Sequence, residues 1–225
     1  MISESTKTNQ IDNKNRLIIQ TVGDLFLEYG YSRVSINLII SKIGGSKRDL
    51  YAQFGDKEGL FRSVIADVCQ QVLDPLKALP VEGGSIEQAL TSFGRIFLSV
   101  LLSSRVIALQ KLVLSEATRY PEFAKTFVQL GPVSAYNLAA ELLMKRAEVG
   151  EIRVSKPKVM GALFCDMLIS DLQFKIISGE IVTDSQIDER VEMAVLTFLN
   201  GIKSYSSVQL SEYNCSKSVK LMKKI

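Results

Sequence analysis

The amino-acid sequence predicts an all-α protein, and three observations support this prediction. Apolar residues recur every three or four positions through almost the whole chain, which is the period of an amphipathic helix. Glycine and proline stand between these periodic segments, where helices stop and start. No clear alternation of apolar and polar residues indicates a strand. With 47% hydrophobic residues in a chain of 225, the helices can bury a sizeable core.

Four helices are predicted in the first third of the chain. Ser35 and Ser46 precede the second and third helices, where a side-chain hydroxyl can accept a hydrogen bond from the first turn. Pro75 is expected to end or kink the fourth helix, because proline cannot donate a backbone hydrogen bond. The predicted ranges are 18–29, 35–43, 46–54 and 55–74.

Five further helices are predicted in the rest of the chain. Ser85 and Gln88 have the spacing of a capping box at the start of the first of them. Gly131-Pro132 is expected to kink the third one before it continues. The predicted ranges are 85–100, 105–118, 121–148, 155–179 and 183–202.

The chain is predicted to have four segments, with a seam between helices around residues 80–84. Residues 1–13 are polar and are assigned to a disordered tail. Residues 14–60 form a three-helix domain, and residues 61–205 form a second helical domain. Residues 206–225 form a polar, basic tail.

The composition excludes several classes of protein. The sequence has no histidine, so a Ser-His-Asp triad, a Cys-His pair and a histidine metal site are impossible. The cysteines Cys69, Cys165 and Cys215 are odd in number and far apart, which indicates neither a disulfide framework nor a zinc site. We therefore predict no enzyme activity, no metal and no cofactor.

The sequence also bears on location and charge. The N-terminus lacks the apolar core of a signal peptide, and no apolar run reaches about 18 residues. These observations predict no membrane segment and a cytoplasmic location. The net charge is only +3, but both ends of the chain are basic and the middle is mildly acidic.

The most informative segment is residues 43–61, IGGSKRDLYAQFGDKEGLF. A helix, a glycine turn and a second helix form a helix-turn-helix, in which the N-terminal end of the second helix faces base edges in the major groove. That end is Ser46, Lys47, Arg48 and Asp49. Arginine can bridge O6 and N7 of guanine, whereas Asp49 can accept from cytosine or cap its own helix.

Nearby polar residues are candidates for phosphate contacts. Tyr51 can reach a phosphate with its hydroxyl, and Gln53 can donate a hydrogen bond to one. Lys57 lies in the first turn of the next helix, where backbone N–H groups and a lysine make a phosphate site. Ser35 completes the predicted DNA-binding set. Taken alone, this segment would also fit an ordinary surface hairpin of two helices.

The order of residues in this region resembles the DNA-binding domain of TetR-family transcriptional regulators. The resemblance runs without a gap from residue 16 to residue 60. It rests on Arg16, Ile18, Leu25-Phe26, Gly30-Tyr31, Ser35-Ile36, Ile39, Gly44, Ser46-Lys47, Leu50-Tyr51, Phe54, Lys57-Glu58 and Leu60.

The rest of the chain resembles the effector-binding half of this family more loosely. KLVLSEATRYPEFAKTF at residues 111–127 is similar to a segment of the AefR and AcrR-like branch. GGS at 44–46, KEGLF at 57–61 and LTSFG at 90–94 resemble the CmeR-type multidrug efflux repressors.

These resemblances imply a repressor with an N-terminal helix-turn-helix DNA-binding domain and a C-terminal helical ligand-binding and dimerisation domain. The repressor would be a homodimer through its last two helices. A small hydrophobic effector would release it from a double-stranded DNA operator. We expect the operator to be a near-palindrome, because two recognition helices must span major grooves roughly 34–36 Å apart, and we expect it to control an efflux or stress operon.

Three positions depart from the family pattern. Gly45 stands where a small apolar residue, usually valine, packs the recognition helix onto the core. Ile40 replaces the usual alanine, and Gln53 stands where histidine or tyrosine is common. Because two glycines add backbone freedom, we predict that the recognition helix is more mobile than in relatives that carry an apolar residue at this position.

The C-terminal helices supply candidates for an effector pocket and a dimer interface. The pocket candidates are the apolar or aromatic residues Phe93, Phe97, Leu112, Phe127, Tyr136, Cys165 and Leu168, each of which could equally be plain core. The dimer candidates Met193, Leu196 and Leu199 lie beside the main apolar stripe of the last helix, although a thick monomer core would use them too. Asp166 interrupts an apolar run and could hold a cationic ligand, or face solvent or the dimer partner.

Two other functions remain open at this point. A TetR-like activator would share every feature above. A helical protein-interaction adaptor with the same fold that has lost DNA binding is kept open by Gly45 and Gln53.

Overall fold

A computed structural model describes residues 4–80, 83–169 and 171–201, with side chains from residue 15 onward. These residues form eleven α-helices and no strand, which confirms the predicted all-α fold. The helices are α1 (Glu4–Tyr29), α2 (Ile36–Ile43), α3 (Lys47–Phe54), α4 (Lys57–Lys77), α5 (Ile86–Leu101), α6 (Ser104–Glu116), α7 (Pro121–Leu130), α8 (Pro132–Glu148), α9 (Pro157–Ile169), α10 (Leu172–Ile177) and α11 (Asp184–Gly201). The basic tail predicted for residues 206–225 lies outside the described residues.

Local sequence signals correctly predict several helix starts. The Ser35 hydroxyl accepts from the Leu38 N–H at 3.1 Å and caps α2. The Ser85 hydroxyl accepts from the Gln88 N–H at 3.2 Å, and the Ser85 N–H donates to the Gln88 side chain at 3.0 Å. The predicted capping box is therefore present at the start of α5.

The structure differs from the prediction at helix boundaries. α1 begins at Glu4, within the segment assigned to a disordered tail, where no glycine or proline interrupts the helix. α4 passes through Pro75 and ends at Lys77. The helix predicted at 121–148 is broken rather than kinked, because the backbone of Gly131 is not helical and Pro132 starts α8. The helix predicted at 155–179 is two helices, α9 and α10.

Two clusters of buried side chains form the interior. The N-terminal core contains residues of α1 to α4, together with Val106 and Val113 of α6 and Phe123 of α7. The C-terminal core is formed mainly by α5, α8, α9 and α11. The boundary predicted at residue 60 falls inside α4, and Leu60 and Phe61 belong to the same buried cluster. Helices α4, α6 and α7 therefore contribute to the core of the helix-turn-helix domain as well as to the second domain.

Helices α8 and α9 cross at very close range, which positions the side chains of the cavity described below. A Cβ atom on Gly161 of α9 would lie 2.6 Å from the backbone oxygen of Tyr136 and 2.7 Å from the nitrogen of Ala140. Only glycine fits at this crossing without a shift of one backbone.

Among the described residues, no single helix is long and apolar enough to cross a membrane. Helices α5 and α6 have the necessary length and apolar character only when taken together, and they are bent by 63° relative to each other.

Candidate nucleic-acid interface and effector cavity

Helices α2 and α3 form a helix-turn-helix around two glycines in unusual backbone conformations. Gly44 has φ of 73° and ψ of −175°, a combination that is essentially restricted to glycine, and Gly45 has φ of 85°. The two helices on either side are regular and capped by Ser35 and Ser46. The mobility of α3 stays a prediction.

The conformation of Gly45 yields a testable prediction. A Cβ atom there would meet no other atom within 4 Å, so the cost of a side chain is backbone strain. We expect Gly45→Val, which restores the common family residue, to lower the free energy of unfolding by about 1–3 kcal/mol. Gly45→Asn is the control, because asparagine tolerates positive φ, and urea denaturation measures both variants. Equal stability of the two variants would contradict this reading of the turn.

The first turn of α3 separates residues that cap the helix from residues that stand free. The Ser46 hydroxyl accepts from the Asp49 N–H at 3.2 Å and donates to the Asp49 carboxylate at 2.8 Å. The Ser46 hydroxyl therefore caps α3, and the Asp49 carboxylate accepts from that hydroxyl; a contact of Asp49 with a base stays a prediction. The side chains of Lys47 and Arg48 are exposed, so this end of the helix presents two cations.

The rest of α3 is anchored along one side. Leu50 is buried in the N-terminal core and Phe54 is half-buried against it. Tyr51 is 44% exposed, and Gln53 is exposed. Tyr51 lies one turn after Lys47, so Lys47 and Tyr51 lie on the same face of α3, and this face does not pack against the core.

Lys57 differs from Tyr51 and Gln53 because its ammonium group already contacts another side chain. Its ammonium group lies 4.3 Å from the centre of the Tyr31 ring, a cation–π geometry. Burial lowers the pKa of Lys57 from its ordinary value. The side chain therefore joins the start of α4 to Tyr31, and its use for a phosphate would compete with this contact.

An aromatic cluster connects the helix-turn-helix domain to α7. The Phe123 ring of α7 lies 4.8 Å from the Phe61 ring and 5.0 Å from the Tyr31 ring, both edge-to-face. Phe26 of α1 packs on Phe61 at 5.0 Å, and Tyr120 stacks on Phe123 at 5.0 Å. This cluster fixes α1 and α4 against the second domain.

A cavity of about 350 Å³, here called the effector cavity, opens between helices α4 to α9 and the start of α10. Its size falls in the range of small-molecule sites. Its apolar walls include Val68, Val72, Phe97, Leu101, Val106, Phe127 and Ile169. Phe127 lies one turn after Phe123 on α7, so one helix joins the cavity to the aromatic cluster.

Two hydrogen-bonded pairs bring polar groups to this apolar cavity. The Tyr136 hydroxyl donates to the Asp166 carboxylate at 2.7 Å. The Gln173 amide donates to the Gln110 side-chain oxygen at 2.8 Å. Burial and the Asp166 carboxylate raise the pKa of Tyr136, so its hydroxyl remains a donor at neutral pH. The two glutamines have no signal in the sequence, because a polar residue inside a helix is usually solvent-exposed.

The structure brings three of the seven predicted pocket residues together at this cavity: Phe97, Phe127 and Tyr136. Cys165 and Leu168 are fully buried in the C-terminal core and do not line it. Leu112 packs against the N-terminal core instead. Phe93 lines a separate cavity of about 250 Å³ near Arg146. These four residues are as apolar as the residues that line the effector cavity. They lie on helix faces that pack in one of the two cores or line the other cavity.

Arg146 is a buried charge that the sequence analysis does not single out. It is only 6% exposed and donates to the backbone oxygens of Gly83 at 2.8 Å and Gly84 at 3.0 Å. It also forms an ion pair with Glu151 at 3.1 Å. These bonds give it a structural role in holding the turn before α5 against α8.

The predicted dimer residues lie on α11 with different exposures. Met193 and Leu196 are 53% and 54% exposed, whereas Leu199 is half-buried against the C-terminal core. Leu163 of α9, which the sequence analysis missed, is 55% exposed. Helices α9 and α11 are in contact. Three large apolar side chains are thus exposed on two neighbouring helices.

Comparison with known families matches both parts of the chain. Residues 18–64 match the family described as bacterial regulatory proteins of the tetR family, and this range covers the C-terminal part of α1, all of α2 and α3, and the start of α4. Residues 88–201 match the AefR-like transcriptional repressor C-terminal domain, which covers most of α5 to α11. Among curated proteins, none is similar enough to be matched.

Solved structures share the fold over most of the chain. A protein from Mesorhizobium loti assigned to the TetR family of transcriptional regulators is 25% identical, with a TM-score of 0.77 over 84% of this chain and 96% of its own. The flavonoid-responsive regulator FrrA is 26% identical, with a TM-score of 0.75 over 87% of this chain and 100% of its own. A TetR regulator from Agrobacterium tumefaciens is 22% identical, with a TM-score of 0.70 over 84% of this chain and 94% of its own, and shows the fold alone.

TetR-family regulators are DNA-binding proteins rather than enzymes, and they typically form dimers. The helix-turn-helix of α2 and α3, the match of its segment to the family's DNA-binding region and the match of residues 88–201 to an AefR-like repressor domain lead to one conclusion. The chain belongs to the TetR family of transcriptional regulators.

Proposed function

We propose that this protein is a ligand-responsive repressor that binds a near-palindromic operator as a homodimer in the cytoplasm. The observation that carries the proposal is the free end of α3. Lys47 and Arg48 are exposed there while Ser46 and Asp49 bond to each other, so the two cations are available for DNA. The similarity of residues 88–201 to an AefR-like repressor domain supports repression rather than activation. An efflux or stress operon is the proposed target.

The dimer is proposed to form through α9 and α11. Leu163, Met193 and Leu196 are about half exposed, and burying large apolar side chains against a second copy is favourable. An isologous contact of two helices with their copies would form a four-helix interface. It would also fix the distance between the two α3 helices, which must match successive major grooves roughly 34–36 Å apart.

Replacing Leu196 by glutamate is expected to convert the dimer to monomers and to lower operator affinity at least about tenfold. The reason is that a carboxylate would have to be buried without a partner at the interface. Sedimentation velocity measures the first effect and fluorescence anisotropy the second. Val128→Glu on α7 is the matched control, because Val128 is 50% exposed on a helix outside the proposed interface. A dimeric Leu196→Glu variant would contradict this assignment.

Effector release is proposed to act through helices that reach both the cavity and the DNA-binding domain. Val68 and Val72 of α4 line the cavity, and the same helix begins at Lys57, next to α3. Val106 of α6 also lines it, and the neighbouring Arg105 forms an ion pair with Asp24 of α1. We propose that the ligand-bound conformer moves α4 and alters the spacing of the two α3 helices. Release then requires that the ligand bind this conformer more tightly than the DNA-bound one.

The effector is proposed to be a small molecule with an apolar, aromatic body. Phe97 and Phe127 line the cavity, and the structurally similar FrrA is described as flavonoid-responsive. The test is to titrate the operator complex with a panel of aromatic compounds and follow anisotropy. A compound that lowers DNA affinity should itself bind more weakly to the operator complex, by the same factor. Unchanged DNA affinity in the presence of a compound that binds the cavity would contradict release through this cavity.

A further inference from the structure

Asp166 is the only charged side chain that lines the effector cavity within the described part of the chain. Among those residues, no lysine or arginine lies within ion-pair distance of its carboxylate. Its hydrogen-bond partner is the Tyr136 hydroxyl at 2.7 Å. A carboxylate offers about four acceptor positions, so one tyrosine leaves most of them open.

Asp166 is exposed in the free protein, and a ligand that fills the cavity it lines would remove water from the part of the carboxylate that it covers. Covering a charge without a counter-charge or a hydrogen bond is costly, because its hydration is lost and nothing replaces it. A neutral ligand would leave this desolvation cost uncompensated, and an anionic ligand would add charge repulsion to it. A cationic head beside Asp166 would offset it. The Gln110–Gln173 pair does not change this balance, since the two amides bond to each other and carry no charge.

The aromatic side chains of the cavity favour the same ligand charge. The cavity is lined by Phe97, Phe127 and the ring of Tyr136. Aromatic faces attract organic cations, which carry a diffuse and weakly hydrated charge. The apolar body of such a ligand would pack against the walls formed by α4, α5 and α6, and its cationic head would lie next to the Tyr136–Asp166 pair.

We infer that the effector class of this protein is an amphipathic organic cation with an apolar aromatic body, selected by the carboxylate of Asp166. The inference rests on the proposed function of the cavity as the effector site. It names Asp166 as the residue that sets ligand charge and Tyr136 as the residue that orients the carboxylate.

Three probe compounds that share a biphenyl group and differ in their head group test this inference. They are biphenyl-4-ylmethyl-trimethylammonium, its uncharged tert-butyl analogue and 4-(hydroxymethyl)biphenyl. Isothermal titration of the full-length protein without DNA measures their affinities. We expect the cation to bind about tenfold more tightly than the tert-butyl analogue. The inference would be overturned if the cation and the tert-butyl analogue bound with equal affinity, or if the cation did not bind. It would also be overturned if the hydroxymethyl compound bound more tightly than the cation.

Two variants assign the preference to Asp166. In Asp166→Asn the side-chain oxygen can still accept from Tyr136, but the negative charge is gone, so the preference for the cation should disappear while the uncharged analogue binds as before. In Tyr136→Phe the charge remains and the preference for the cation should persist. A preference that survives in Asp166→Asn would overturn the assignment. Thermal unfolding of both variants confirms that they are folded.

The titrations separate this inference from the proposed function. If the cation binds through Asp166 but does not lower operator affinity, the ligand class stands and the proposed release mechanism fails. If another compound releases the operator while the cation does not bind the cavity, the release mechanism stands and the ligand class fails.

Discussion

Replacing Lys47 or Arg48 by alanine is expected to weaken operator binding in two different ways. Lys47 is exposed at the first position of α3 and should contact phosphate, so Lys47→Ala should weaken binding to all sequences and reduce the salt dependence by about one counterion per half-site. Arg48 should contact a base, so Arg48→Ala should cost about 1–3 kcal/mol per half-site and relax sequence preference at one base pair.

The two effects are measured by anisotropy on one operator fragment and its single-base variants at several salt concentrations. Lys111→Ala is the control, because Lys111 is an exposed lysine on α6, outside the helix-turn-helix. Similar losses in all three variants would indicate nonspecific electrostatics and would contradict the assignment of α3 as the recognition helix. Ser46 and Asp49 bond to each other, so Lys47 and Arg48 are the exposed cations of the first turn of α3 whose roles these variants compare.

Removing the Phe123 ring is expected to produce the largest loss of stability. Phe123 is fully buried and its ring contacts those of Tyr31, Phe61 and Tyr120. Replacing a buried phenylalanine by alanine costs about 3–5 kcal/mol, because the lost contacts leave a cavity that the surroundings fill only in part. That amount is a large share of the roughly 5–15 kcal/mol of a typical domain.

Urea denaturation of Phe123→Ala checks this expectation. Val128→Ala is the control on the same helix, because Val128 is 50% exposed and should cost less than about 1 kcal/mol. A loss below about 1 kcal/mol for Phe123→Ala would contradict the structural role of the aromatic cluster. Because the cluster joins α7 to α1 and α4, we also expect the variant to lose cooperativity between the two domains.

The sequence predicts local features well because neighbouring residues determine them. The caps at Ser35, Ser46 and Ser85 follow from a hydroxyl three residues before a free backbone N–H, and all three are present. Gly44-Gly45 predicts the turn of the helix-turn-helix, although the conformation of each glycine is a property of the folded chain. The DNA-binding region is therefore the part of the candidate site that the sequence defines best.

The effector cavity is harder to predict because its walls come from six helices and the start of a seventh. Cys165 and Leu168 have the same apolar character as Phe127, yet they are fully buried in the C-terminal core. The pairing of Gln110 with Gln173 joins residues far apart in the chain, and no local pattern reveals it. Leu163 lies in a run that is apolar on several sides, so periodicity does not separate its exposed face from the buried one.

We propose that this protein recognises a specific DNA sequence through α3. Selection of bound fragments from sheared genomic DNA tests it most directly, with the Lys47→Ala, Arg48→Ala double variant in parallel. We expect the native protein to enrich one near-palindromic site with an affinity that depends steeply on salt, and we expect the double variant to lose this enrichment. No enrichment, or weak binding that the double variant retains, would contradict it and would favour a helical adaptor with a protein partner.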